Sequence, residues 1–164
     1  MKRPRLTHVD RHGRARMVDV SAKTRTARVA VARADVHMQP KTLALIRTNQ
    51  VAKGDVLTVA QLAGVMAAKK TADLIPLCHP LPLDDVQVRV EPAPDAAAVR
   101  IEATVRTTGR TGVEMEALVA VTAAALTVYD MCKAADRGIT IDRVRLIHNS
   151  GGRSGTYNRR GETS

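Results

Sequence analysis

A chain of 164 residues can form one domain with a proper core, and with Tyr129 and Tyr157 as its only aromatics that core must be aliphatic. The two cysteines, Cys78 and Cys132, form no CxxC pair, which argues against a disulfide framework and for a reducing, cytoplasmic setting. The net charge of +10 sits mostly at the termini: residues 1–16 hold six Lys/Arg against one Asp and 153–164 three Arg against one Glu, while 17–152 hold 17 against 14. That distribution describes solvated tails. A nucleic-acid-binding module would want a basic folded face or aromatic stacking platforms, and it stands as the alternative, non-catalytic reading. No apolar stretch follows the basic N-terminus as in a signal peptide, and no run approaches the ~18 apolar residues that cross a bilayer.

In chain order, residues 1–16 read as a basic, flexible segment, 17–150 as a single domain, and 151–164 as a Gly/Ser/Arg-rich flexible tail. Met17-Val18-Asp19-Val20 alternates briefly, as a strand or an ordered loop. Alternation from Arg25 to Met38 predicts a strand over 27–38, and Pro40 suits the first turn of a helix through Ile46 or Arg47. Lys53-Gly54-Asp55 lies in a turn, and Thr58-Val-Ala-Gln61 has the spacing of a capping box that opens a helix over Val59–Lys70. Pro76, Pro80 and Pro82 make Asp73–Leu83 a stiff loop without regular structure. Strands follow at Asp84–Glu91 and Ala98–Thr108, then a helix from Gly112 to Asp136 stopped by Gly138, then a strand from Ile139 to Ile147. This order predicts an α+β sandwich of ferredoxin-like plan, a mainly antiparallel sheet with helices packed on one face.

The chemistry gathers around the long helix. Between Ala117 and Tyr129 it carries no charge and reads as buried all round, with Glu114 and Glu116 at its start and Asp130 and Lys133 at its end. Asp130 with Lys133 three residues on reads either as an ordinary helical ion pair or as an acid/base couple tuned by burial. Thr111-x-x-Glu114 matches a capping box, which leaves Glu116 the better functional candidate. Carboxylates at a helix N-terminus repel phosphate and suit the N–H donors of a purine or pterin ring. Glu116 and Asp130 lie 14 residues apart, about 21 Å along a helix. One small substrate does not bridge that span, so an isologous partner bringing the two ends together is expected. His79, beside Cys78 in the stiff loop, is either a solvent-facing loop histidine or a positioned acid/base group. Lys53 and Arg28 are surface charges or phosphate contacts, and adjacent Cys78-His79 lacks the partners of a metal site.

Five segments, Met-Val-Asp-Val-Ser-Ala-Lys (17–23), Lys-Gly-Asp (53–55), Asp-Leu-Ile-Pro-Leu-Cys-His-Pro-Leu (73–81), Thr-Gly-Val-Glu-Met-Glu-Ala-Leu (111–118) and Tyr-Asp-Met-Cys-Lys-Ala (129–134), strongly resemble the molybdenum cofactor biosynthesis protein C family, the cyclic pyranopterin monophosphate synthases. The resemblance spans Thr7 to Gly155 and makes 17–150 a catalytic domain. It implies a cytosolic enzyme built as a homohexamer of three dimers, acting on 3′,8-cyclo-7,8-dihydroguanosine 5′-triphosphate supplied by a radical enzyme. The implied products are cyclic pyranopterin monophosphate and diphosphate. By the same resemblance Asp130 matches an active-site aspartate, Lys133 its companion lysine, and Lys53 and His79 catalytic or phosphate-contacting positions. Leu77-Cys78-His79 and Met115-Glu116 match substrate-binding segments, and Arg28 and Glu114 further site residues. No step is a redox reaction, so no electron-carrying cofactor is implied, nor a protein metal site. Proton transfer is expected from a buried Asp130–Lys133 couple and His79, and charge for the departing diphosphate from Lys53, Arg28 and Lys133. Asn149 and Arg153 stand where family members carry lysine, which bears on the tail's part in phosphate binding.

Overall fold

The computed structural model describes residues 13–153 and 155–162, so most of the basic segment expected at 1–16 lies outside the described residues. The elements run β1 (Thr26–His37), α1 (Pro40–Arg47), α2 (Val56–Ala68), α3 (Thr71–Leu74), β2 (Asp85–Pro92), β3 (Ala98–Gly109), α4 (Glu114–Cys132), β4 (Thr140–Ser150) and β5 (Tyr157–Asn158). They build one antiparallel sheet in the order β2-β3-β1-β4-β5. With α1–α3 as the first helical connection and α4 as the second, this is the α+β ferredoxin-like arrangement that the order of elements predicts.

The alternation of β1 explains why the helices lie so close. Ala30, Ala32, Ala34 and Val36 form its inward side and are fully buried, and α4 answers with Ala117, Ala120 and Ala124. Small side chains on both surfaces let the backbones approach, and Val99, Ile101 and Val105 of β3 supply bulk beside them. Gly64 is the closest point between α2 and α4: a Cβ there would lie 3.1 Å from the Ala120 carbonyl and from Val88 Cγ1. The core is aliphatic throughout.

Several boundaries differ from expectation, each for a local reason. Helix α2 begins at Val56 because Asp55, and not Thr58, is its cap: the Asp55 carboxylate accepts from the Thr58 amide at 3.0 Å. Helix α4 ends at Cys132, short of Asp136. Asp136 turns inward and accepts from the Gln39 amide at 2.8 Å and Thr42 Oγ1 at 3.2 Å, capping α1, whose own N-cap Gln39 makes no side-chain capping bond and instead donates Nε2 to Asp136 at 3.3 Å. Helix α4 is also not buried all round. Leu126 and Asp130 are exposed, and Val59, Leu62 and Met66 of the neighbouring α2 add an exposed apolar stripe. By length and composition alone α4 is apolar enough to cross a bilayer, more than the sequence reading allowed, but half of its span is packed into the fold.

The tail expected to be flexible from residue 151 returns to the sheet. Tyr157 and Asn158 pair with Asn149 and His148, and Glu162 forms ion pairs with Arg33 and Arg145. Arg33 lies 129 positions from Glu162, and composition alone does not reveal such a partner.

Candidate active site

The residues singled out by sequence fall into two groups at opposite ends of α4. At its C-terminal end Lys53 and Lys133 both grip Asp130. Lys53 Nζ lies 2.7 Å from Oδ2 and also donates to the Asp130 carbonyl at 2.9 Å, while Lys133 Nζ lies 2.7 Å from Oδ1. The turn at Lys53-Gly54 makes this possible: Gly54 takes φ 95°, a conformation glycine adopts without steric cost, and swings Lys53 towards the end of α4 just before Asp55 caps α2.

This cluster is not the buried acid/base couple expected. Asp130 is 54 % exposed, and the hydrogen bonds from Lys133 and then Lys53 hold its carboxyl down to about 2. Asp130 in turn raises Lys133. At neutral pH the group is a carboxylate clamped between two ammonium ions. It presents positive charge at a fixed position and has no proton poised for exchange. A cavity of about 290 Å³ with an apolar lining adjoins it, formed by Val51, Ala52, Met131 and Ala134 among others.

At the N-terminal end lies a cavity of about 600 Å³ that brings Leu77, Cys78 and His79 of the proline loop together with Glu114, Met115 and Glu116. Val18, Val20 and Lys23 line it too, although the sequence reading left that segment as a strand or ordered loop. The signal was available, since 17–23 is among the motifs that carry the resemblance. Glu116 is only 4 % exposed, and burial, with the Glu114 charge adding, pushes its carboxyl up to about 7. Burial first, and then Glu116 and Glu114, also raise the Cys78 thiol, which disfavours its thiolate form.

Glu114 departs from the capping role its spacing predicts. Val113 is the N-cap, with no side-chain cap bond, and the Glu114 carboxylate folds back over Gly112. A Cβ at Gly112 would fall 2.0 Å from Glu114 Oε2, and that oxygen is buried without a hydrogen-bond partner. An acceptor left unpaired beside a cavity is unfavourable unless a ligand donor meets it. Two acidic side chains, one with a free acceptor and one titrating near neutrality, fit a heterocycle rich in N–H groups.

Arg28 joins neither group directly. Its guanidinium donates to the carbonyls of Gly151 at 3.1 Å and Arg110 at 3.4 Å. Within one chain, then, the Lys53–Asp130–Lys133 cluster and the acidic cavity remain apart, separated by the 14 residues from Glu116 to Asp130, or about 21 Å of helix.

Comparison with known proteins agrees with the motifs. The chain is 62 % identical over 154 residues to the cyclic pyranopterin monophosphate synthase of Thermomicrobium roseum, covering 94 % of this chain and 93 % of that protein. It is 60 % identical over 157 residues to the protein of the same name from Pelotomaculum thermopropionicum, covering 96 % and 92 %. The corresponding protein of Chloroflexus aurantiacus is 61 % identical over 154 residues, with 94 % of each chain covered. The sequence model of the MoaC family matches residues 17–152, and this chain belongs to that family.

Proposed function

We propose that this chain is a cyclic pyranopterin monophosphate synthase, a phosphorus–oxygen lyase that converts 3′,8-cyclo-7,8-dihydroguanosine 5′-triphosphate into cyclic pyranopterin monophosphate and diphosphate. In this reading it works in the cytoplasm, and a radical enzyme supplies its substrate. The observation that carries the proposal is the acidic cavity at the start of α4 set against the lysine cluster at its end, in a chain about 60 % identical to synthases of that name over nearly its whole length.

Each half suits one part of the substrate. Glu114 and Glu116 accept the N–H groups of the guanine-derived ring, with Met115, Leu77 and Cys78 packed along it. Glu116, titrating near 7, exchanges protons as the ring opens and recloses, with His79 facing the same space. Lys53 and Lys133, held 2.7 Å from Asp130, present fixed positive charge to the phosphates and stabilise the departing diphosphate. Asp130 holds the two ammonium groups in place and stays ionised throughout.

Because the halves lie apart in one chain, a complete site draws its acidic cavity from one copy and its lysine cluster from another. The exposed apolar residues Val59, Leu62 and Met66 on α2 and Leu126 on α4 are the natural surface for such a contact. The oligomer proposed is a hexamer of three dimers. Incubation with the cyclic dihydro-GTP substrate, following diphosphate and pyranopterin together, tests the activity: stoichiometric release of both supports it, and neither product at micromolar enzyme refutes it.

A further inference from the structure

Strand β4 is the least regular in the sheet. Its pairing with β1 shifts register twice, between Val31 and Ala32 and between Arg33 and Asp35, and Arg143 in the second irregularity takes φ 50°. Bulges break ladder hydrogen bonds, so backbone pairing alone fixes β4 less firmly than the other strands. The register also sets Arg33 directly opposite Arg145, a like-charge pair across a ladder, which is destabilising unless neutralised.

The end of the chain supplies the neutralising charge. Glu162 lies 3.0 Å from Arg33 Nη1 through Oε2 and 2.5 Å from Arg145 Nε through Oε1, and its carboxylate is only 12 % exposed. Glu102 meets Arg33 at 2.6 Å, but Asp35 is divided between Arg145 at 3.0 Å and Arg143 at 3.8 Å, so Arg33, Arg143 and Arg145 face two carboxylates until Glu162, which also lies 3.4 Å from Arg143, supplies a third. Strand β5 brings Glu162 there. The Arg159 amide donates to the Ile147 carbonyl at 2.9 Å and its Nε to the Leu146 carbonyl at 2.8 Å, and the His148 ring lies 2.7 Å from Asn158 Oδ1. The tail thus fastens β4 over the stretch where its own ladder is broken.

What β4 delivers at its end is Gly151, and there Arg28 takes over. Gly151 and Gly152 lie flat against it: a Cβ at Gly151 would fall 2.2 Å from the Ala27 carbonyl, and one at Gly152 2.2 Å from Arg28 Nη1. Through its other terminal nitrogen Arg28 holds the Arg110 carbonyl, and Arg110 leads directly into Thr111 and Gly112 on the rim of the acidic cavity.

We propose that Glu162 and Arg28 are positioning residues: Glu162 clasps Arg33 and Arg145 to fix β4 on β1, and Arg28 transmits that position to the Arg110–Gly112 rim. The proposal rests on the synthase reading only in naming what the cavity holds, so its test begins without substrate. Amide hydrogen exchange on the free protein compares Glu162→Gln, Arg28→Lys and the control Glu91→Gln, a carboxylate on β2 that faces Arg100 in register and makes no ion pair among the described residues. Glu162→Gln is expected to speed exchange about tenfold or more over 109–112 as well as over β5, and Glu91→Gln to change neither. Arg28→Lys should speed the rim while leaving the amides of Tyr157–Glu162 protected, which keeps the coupling testable if Glu162→Gln does not fold. With substrate, Arg28→Lys and Glu162→Gln should raise KM severalfold at nearly constant kcat. Rim exchange unchanged from wild type in Arg28→Lys, or unchanged in a folded Glu162→Gln, overturns the proposal whatever the fate of the synthase reading.

Discussion

The two ends of α4 carry carboxylates of ordinary intrinsic acidity in opposite states. Glu116 at the start is buried and pushed up to about 7, whereas Asp130 at the end is exposed and held down to about 2 by two lysines. Desolvation governs the first and hydrogen-bonded cations the second. In the proposed function the contrast divides the chemistry, with proton exchange at the acidic cavity and fixed positive charge at the lysine cluster, and the unit proposed to unite them is a pair of chains.

The sharpest way to break this comparison is to remove charge at the exposed end. Lys133→Ala is expected to lower kcat by about 10³-fold, in the range of a lost electrostatic stabiliser, while circular dichroism and the melting transition stay close to wild type. Near-wild-type turnover would show that the cluster is an ordinary surface ion pair.

Glu116→Gln should lower kcat by about 10²-fold, the scale of a lost acid/base group, and remove the titration near 7 from the pH profile of kcat/KM. Stability gives an independent reading of the same group. Its folded value of about 7 lies above the unfolded carboxylate value, so the native state binds more protons between the two. The stabilisation is therefore full below about 4.5 and is lost as pH rises through about 7. Above that pH Glu116→Gln should be more stable than wild type by on the order of 3 kcal/mol in denaturant titrations.

Asp130→Asn leaves Lys53 and Lys133 charged but unclamped. We expect about a tenfold rise in KM with little change in melting temperature, because exposed ion pairs add little stability. The lowered carboxyl has the opposite sign from Glu116: its contribution is present above the unfolded value and disappears only as pH falls through about 2. The smallest effect is expected for Gly112→Ala, whose added Cβ would fall 2.0 Å from Glu114 Oε2 and push that carboxylate aside, and which should weaken binding of a pterin analogue by a few-fold, with stability changed by under about 1 kcal/mol.

Much of this was legible in the sequence, and the failures have physical causes. The ferredoxin-like plan follows from strand alternation and element order, but the alternation of β1 did not give its buried side, because Ala27, Val29 and Val31 are as apolar as the residues that face the core, Ala30, Ala32, Ala34 and Val36. Sequence spacing misled at Thr111-x-x-Glu114 and at Thr58, because a capping box needs backbone torsions as well as spacing, and Val113 and Asp55 took the cap positions instead. An uncharged run next to Asp130 implied burial, but Asp130 is exposed although Met131 and Cys132 beside it are buried. The tail escaped notice because a two-residue strand has no pattern, and Glu162 finds Arg33 across 129 positions of chain. For the proposed site, the motif residues fall into two groups at opposite ends of α4, and the distance between those groups follows from the rise of a helix alone.

That division is the central claim, and subunit mixing tests it most directly. Lys133→Ala and Glu116→Gln, each expected to be lowered by about 10²-fold or more alone, are co-expressed with different tags so that mixed oligomers form. If sites are shared between chains, each mixed pair contains one intact site. Random pairing should then restore about a quarter of the wild-type activity. If each chain holds a complete site of its own, mixed oligomers stay as inactive as the parents, and the account is contradicted.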